Sequence, residues 1–368
     1  MIIKNGKVFQ EDGNFVQKDL YIDDNHKIAR SEDQIGDKSV VDAGGRLVIP
    51  GLVDIHSHGA FGHDFSDGDS EGLKIILKYQ KDHGITSYCP TSMTLPKEQL
   101  LKIFQTVREV EDYREGARVA GINMEGPFID PAKKGAHVEG YIVEPDVEFF
   151  RECNEKCGNR IKLVTLAPNT RGAERFIEEL HRETCISLGH TGADYETCKK
   201  AMELGAHHVT HLFNAMLPFA HREPGLVGAA ADDDSCMVEL IGDGLHIHPG
   251  MVRSIFRMFG EERVCLISDS MMATGMENGT YELGGQKVQV KDRKATLKDG
   301  TIAGSATNLF DVMKTVHSFG IPLKTAVFAA TRNPAKSIGI YETVGSVTPG
   351  KEADLLILSE NLDLLQVI

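Results

Sequence analysis

Eight times between residues 52 and 267 a short, mostly apolar run recurs, and most of the runs are followed by a loop and an amphipathic helical period. The runs lie at 52–55, 85–89, 119–124, 161–166, 185–188, 208–212, 237–241 and 264–267. Apolar residues return with helical spacing over 72–83, 97–110, 147–157, 173–182, 195–204 and 249–259. Eight strand–helix units fit an α/β chain folded as a (β/α)8 TIM-like barrel, whose functional groups gather at the carboxyl ends of the strands. A doubly wound open sheet is the alternative built from the same units.

At 368 residues the chain exceeds a single ordinary core, so a small companion domain is expected beside the barrel. Residues 1–48 read as short strands at 1–4, 7–9, 19–22 and 27–29 with turn clusters between them, too little sheet to stand alone. The C-terminal stretch 344–368 supplies a turn and a strand that would complete a small β-sandwich domain with them. The barrel then occupies 49–343. A β-hairpin is expected near 276–303, and a further helix from Ser305 to about Phe319.

A net charge of −14 lacks the basic footprint that nucleic acid requires, while leaving room for a small anionic substrate held by a local arginine. Neither a cleavable leader nor a run of membrane-spanning length is visible, and seven cysteines follow no disulfide framework. A cytoplasmic protein with no membrane partner is expected. Cys153 and Cys157, four apart, read as structural thiols because no second ligand pair follows at finger-like spacing.

The chemistry is concentrated at the strand ends. His56 and His58 are two apart at the end of the first run, so alternation along an extended chain points both imidazoles to one side. Imidazole is a good ligand for zinc, iron or nickel. Glu125 follows the third run, His190 the fifth and Asp269 the eighth, with His211 at the sixth. Each has a plain reading alone, a satisfied histidine or a helix cap. Independent caps and core histidines have no reason to select one mouth of a barrel, so the six together read as a metal site.

The motifs Pro50-Gly51-Leu52-Val53-Asp54-Ile55-His56-Ser57-His58, Glu125-Gly126-Pro127-Phe128, Lys134-Gly135-Ala136-His137, Gly189-His190-Thr191, His211-Leu212-Phe213-Asn214-Ala215-Met216, Asp243-Gly244-Leu245-His246 and Ser268-Asp269-Ser270 resemble the amidohydrolase superfamily. Within it they resemble the N-acetylglucosamine-6-phosphate deacetylase family. The resemblance implies that Glu125, His190 and His211 ligate a divalent metal, Zn2+ or Fe2+, and that Asp269 is the catalytic acid/base. It also implies that His56 and His58 can hold a second ion with Glu125 bridging, giving one or two ions per subunit. No carboxylated lysine is found at the fourth strand end, which agrees with this subgroup.

The implied reaction is hydrolysis of the acetamide of N-acetylglucosamine 6-phosphate to glucosamine 6-phosphate and acetate, in amino-sugar catabolism. A metal-activated water is the nucleophile, Asp269 handles the proton, and His137 steadies the oxyanion. Ala136, His137, Asn214, Ala215, Arg222, His246, Ile302, Ala303 and Gly304 are implied to touch substrate, with Arg222 and His246 suited to the phosphorylated sugar. A phosphate contact completed by a neighbouring subunit would make the protein a homodimer. His63, His83, His207, His208 and His248 are left as structural or surface residues. The galactosamine epimer as substrate, another amidohydrolase activity, and a binding protein that keeps the fold without catalysis are the alternatives.

Overall fold

The two ends of the chain meet at the foot of the first barrel strand. In the computed structural model, which describes residues 1–368, Leu47–Pro50 pairs antiparallel with Leu355–Leu358, and the Gly51 N–H donates to the Asp354 carbonyl at 2.8 Å. A Cβ at Gly51 would lie 2.2 Å from Thr86 Oγ1, so only glycine lets the chain pass this close to the next strand. The strand carrying His56 and His58 is thus anchored at its base by both termini.

Those termini form one continuous seven-stranded sheet. Ile2–Phe9 is a single bulged strand where two short ones are expected, because Gly6 carries the chain through the register shift. Its first half pairs with Val40–Asp42 and its second with Leu47–Pro50. Ile3, Val8, Leu20, Ile22, Leu355 and Ile357 bury a separate small core there. Each such side chain contributes about 1.5–3 kcal/mol.

The barrel strands are β1 (Leu52–Ser57), β2 (Ile85–Ser92), β3 (Ile122–Glu125), β4 (Ile161–Leu166), β5 (Cys185–Leu188), β6 (His208–Val209), β7 (Met237–Ile241) and β8 (Val264–Ile267). Parallel ladders join each to the next. Between β8 and β1 the ring is completed at the mouth, where the Asp269 N–H donates to the His56 carbonyl at 2.9 Å and the His58 N–H to the Ser270 carbonyl at 2.7 Å. Ser268 Oγ donates to Asp54 Oδ2 at 2.6 Å below them. Helices stand between the strands, and four of them start on an aspartate or asparagine side-chain cap, from Asp69, Asp146, Asp194 or Asn308, each worth about 1 kcal/mol.

Four expectations change. The third run is broken at Gly121: Arg118–Val119 pairs only with β2, and from Ile122 the chain takes β4 as a partner as well. The sixth ladder stops at Val209, since the backbone turns at His211 with φ +26°. The hairpin is a three-stranded sheet, Gly279–Leu283, Gln286–Lys291 and Lys294–Thr296. The helix expected from Ser305 begins at Leu309, because the Ser305 N–H is held by the Asp269 carbonyl at 2.7 Å and Ser305 bridges to Ser270 at the mouth.

Helices at Gly225–Asp232, Leu323–Ala330 and Arg332–Ser337 have no counterpart in the sequence reading. Gly225–Asp232 is small and apolar nearly all round and almost wholly buried, so it has no amphipathic stripe to detect. No helix of the chain is long and apolar enough to cross a membrane.

Candidate metal centre and active site

Glu125 ends β3 at the centre of a ring of imidazoles. Its Oε1 lies 3.0 Å from His211 Nε2, 3.2 Å from His190 Nε2 and 3.4 Å from His56 Nε2. Its Oε2 lies 3.3 Å from His58 Nε2 and 3.4 Å from His137 Nε2. His190 and His211 approach each other at 3.0 Å, Nε2 to Nε2. Asp269 Oδ1 is 3.2 Å from His58 Nε2 and 3.7 Å from His56 Nε2. All seven residues are buried.

The opposite ring nitrogens say which of these groups carry protons. His56 Nδ1 faces Glu239 Oε2 at 2.8 Å, His58 Nδ1 the Thr91 carbonyl at 3.1 Å, and His190 Nδ1 the Lys133 carbonyl at 2.8 Å. An acceptor opposite Nδ1 places the proton there, so each neutral ring turns the Nε2 lone pair toward Glu125. His211 Nδ1 is buried without a protein partner. Lone pairs then face a carboxylate, an arrangement of acceptors against acceptors that a cation between them resolves.

The donor set fits that cation. Bonds of about 2.0–2.1 Å in a tetrahedral zinc site put neighbouring ligand atoms roughly 3.3 Å apart, the range of separations found here. Imidazole and carboxylate donors suit zinc or iron. The centre is fitted to a divalent metal, and Glu125 lies within reach of both the His190/His211 pair and the His56/His58 pair.

His137 is the exception. Its Nδ1 accepts the Thr94 backbone N–H at 3.0 Å, so its neutral form carries the proton on Nε2. Glu125, His137 and His190 are close enough to share an ion on distance alone. The tautomer argues against it, because a ring that accepts at Nδ1 has no lone pair left at Nε2. His137 is a hydrogen-bond donor aimed into the site. Burial is the first cause that pushes its pKa down, to about 4, against the opposing pull of the Glu125 carboxylate.

The carboxylates are ionised. Burial opposes this for Glu125, but the imidazoles ringed around it outweigh that cost and hold its carboxyl well below the usual range. For Asp269 burial likewise opposes ionisation, and the imidazoles of His56 and His58 beside it prevail. Three of these residues stand on strained backbone: His190, His211 and Asp269 have φ of +45°, +26° and +48°. Such left-handed turns are uncommon for residues other than glycine and collect at functional sites. Local bonds maintain them, among them the Asp130 N–H to the His190 carbonyl at 3.0 Å.

Above the ring opens a cavity of about 580 Å3. Ala136, Asn214, Ala215 and His246 line it, together with Ile302 and Gly304. Ala303 is buried behind that wall, so of its tripeptide it is the one kept from the cavity. His246 is held by Asp243, Nδ1 to Oδ2 at 2.8 Å. His56 sits beneath the floor. Arg222 is not brought in: it is exposed on the loop before Gly225 and makes no ion pair within the chain.

Sequence reasoning missed Glu239, fully buried in β7 and bonded to His56. A single acidic residue inside the apolar run Met237-Val238-Glu239-Leu240-Ile241 was the available signal. It also missed Gln286, whose Nε2 donates to the Ala136 carbonyl from the three-stranded sheet, and Thr94. Nothing in their local sequence marks them, since their partners lie 150 and 43 residues away.

Residues 47–367 match the Amidohydrolase family. The chain is 39% identical to the N-acetylglucosamine-6-phosphate deacetylase of Bacillus subtilis over 88% of its own length and 83% of that protein. The crystal structure of N-acetylglucosamine-6-phosphate deacetylase from Pasteurella multocida superposes with a TM-score of 0.92 at 29% identity, covering 100% of this chain and 97% of that one. A mutant of the corresponding Mycobacterium smegmatis enzyme, in complex with N-acetyl-D-glucosamine-6-phosphate, gives a TM-score of 0.90 at 30% identity, covering 100% and 97%.

Proposed function

The chain belongs to the amidohydrolase family, among its N-acetylglucosamine-6-phosphate deacetylases, and from that premise we propose how its residues hydrolyse N-acetylglucosamine 6-phosphate to glucosamine 6-phosphate and acetate. The observation that carries the assignment of roles is the proton pattern around Glu125: lone pairs from His56, His58 and His190, and one N–H from His137. Glu125, His190 and His211 would hold one divalent ion, and His56 and His58 with Glu125 would hold a second. Zinc or iron(II) is the proposed identity. A bound divalent ion lowers the pKa of water toward neutrality and polarises a carbonyl.

The protein's own groups do the rest. Asp269, ionised and on the cavity wall, accepts the proton of the attacking water and returns it to the amine nitrogen, which cannot leave as an anion. The His137 Nε2–H donates to the substrate carbonyl oxygen as negative charge collects there, and being fixed beforehand by Thr94 it needs no reorganisation. Asn214, Ala215 and the Ile302–Gly304 wall contact the sugar, and His246 draws the phosphorylated end.

Arg222 is the proposed phosphate ligand of a neighbouring subunit in a homodimer, a reading supported by its exposure, its lack of an ion-pair partner and its place outside the lining of its own cavity. The barrel, 49–343, carries the chemistry and the terminal domain, 1–48 with 344–368, braces it. Seven unpaired cysteines suit a reducing cytoplasm.

Acetate release by metal-loaded protein tests the assignment. The wild type should deacetylate the phosphorylated glucosamine derivative faster than the galactosamine epimer or the unphosphorylated sugar. Asp269→Asn should lose about 10²–10⁴ in kcat with its metal content unchanged. An untouched substrate in the presence of bound metal would overturn the substrate assignment.

A further inference from the structure

Glu239 is fully buried in β7 between Val238 and Leu240 and does not line the cavity. A carboxylate taken wholly out of water is costly unless it is paired and hydrogen-bonded. One oxygen answers that requirement twice: Oε2 accepts from His56 Nδ1 at 2.8 Å and from the His211 backbone N–H at 3.0 Å. The other, Oε1, has no protein partner. The same atom therefore touches the imidazole of one metal pair and the main chain of the other.

We propose that Glu239 is the positioning residue that makes the His56/His58 metal position competent and ties it to the His190/His211 position. The inference rests on the two-position reading above. Against His56, the carboxylate fixes the proton on Nδ1, points Nε2 toward Glu125, and places a negative charge behind the ring that strengthens Nε2 as a donor. Toward His211, it holds the N–H of a residue whose φ of +26° would otherwise relax, and so keeps that ring on Glu125. Charge acts mainly on the first position, the hydrogen bond on both.

Two substitutions separate these effects. Glu239→Gln keeps a carbonyl oxygen for both donors and removes only the charge, while Glu239→Ala removes both. Metal-free wild type, the two variants, His56→Ala and the double variant His56→Ala/Glu239→Gln are titrated with Zn2+ against a chromophoric chelator. Melting of the metal-free forms checks their folding, and Co2+ absorption reports the ligand field. The wild type should take up two equivalents. Glu239→Gln should weaken the second about 10–100-fold, the size typical of losing such a partner, and leave the first within about threefold. Glu239→Ala should weaken both.

In the His56→Ala background, where one position is already gone, Glu239→Gln should change the remaining affinity little. Should Glu239→Gln not fold, Glu239→Asp, which keeps the charge but withdraws it by one methylene, carries the same comparison and should weaken the second equivalent more than the first. Two equivalents bound by Glu239→Gln with wild-type affinity would overturn the proposal, as would an equal loss with and without His56. A wild type that binds one equivalent at any zinc excess would instead remove the two-position reading, and the proposal with it.

Discussion

His137 and Asp269 serve the same reaction from opposite states of protonation: Asp269 as a carboxylate, His137 as a donor whose tautomer one backbone amide sets. Because the Thr94 N–H occupies His137 Nδ1, the ring offers a proton where its four histidine neighbours are oriented or free to offer a lone pair. His137→Ala should therefore lower kcat about 10²–10³-fold, the cost of one oxyanion donor, and leave the zinc content of the protein unchanged. A loss of bound zinc in that variant, measured by elemental analysis, would make His137 a ligand.

His246 gives a second test at this scale. Burial works to lower its pKa, but the hydrogen bond and charge of Asp243, with a further contribution from Asp269, raise it above the usual 6.5. A raised histidine is charged below its folded pKa and loses that charge as pH climbs through it, so KM for the phosphorylated sugar should be lowest on the acid side and rise above it. Asp243→Asn retains an oxygen for the Leu245 and His246 N–H groups but removes the charge. The rise in KM should then begin at lower pH. KM profiles between about pH 6 and 9 for the two proteins decide it; coincident profiles would detach His246 from the phosphorylated end.

At the scale of elements, the part legible in the sequence is the part governed by short-range periodicity. The eight strands and the six site residues at their ends follow from apolar runs and alternation, and they lie at the mouth as expected. What was not legible depends on partners distant in sequence. Gly121 marks a change of strand partner, Ser305 is held extended by Asp269, and Gly225–Asp232 is helical without an exposed face to betray it. The three-stranded sheet at 279–296 is the functional case. Its Gln286 holds the Ala136 carbonyl, one residue before His137, and Leu283 from the same sheet lines the cavity. Gln286→Ala removes one hydrogen bond, worth about 0.5–1.5 kcal/mol, and frees the loop that aims His137. The expected result is a kcat roughly tenfold lower with the melting temperature nearly unchanged; a variant that melts earlier at full kcat would make the contact merely structural.

Across the whole molecule the remaining question is where Arg222 acts, because the cavity of one chain contains the metal centre and His246 but not this guanidinium. Phe219, three residues before it on the same loop, is also exposed, and an unpaired arginine on one loop with an exposed aromatic is the composition of an interface. If Arg222 reaches the neighbouring subunit, the defects of Arg222→Ala and Asp269→Asn fall in different sites of a mixed dimer. One site then has both residues intact, Asp269 from its own chain and Arg222 from the other, while the second site has neither. Co-expressed and separately tagged, the two inactive variants should yield a purified heterodimer with about half the wild-type activity, since one of two equivalent sites is whole. An arginine acting within its own chain leaves every site lacking one residue, and the heterodimer would stay as inactive as its parents.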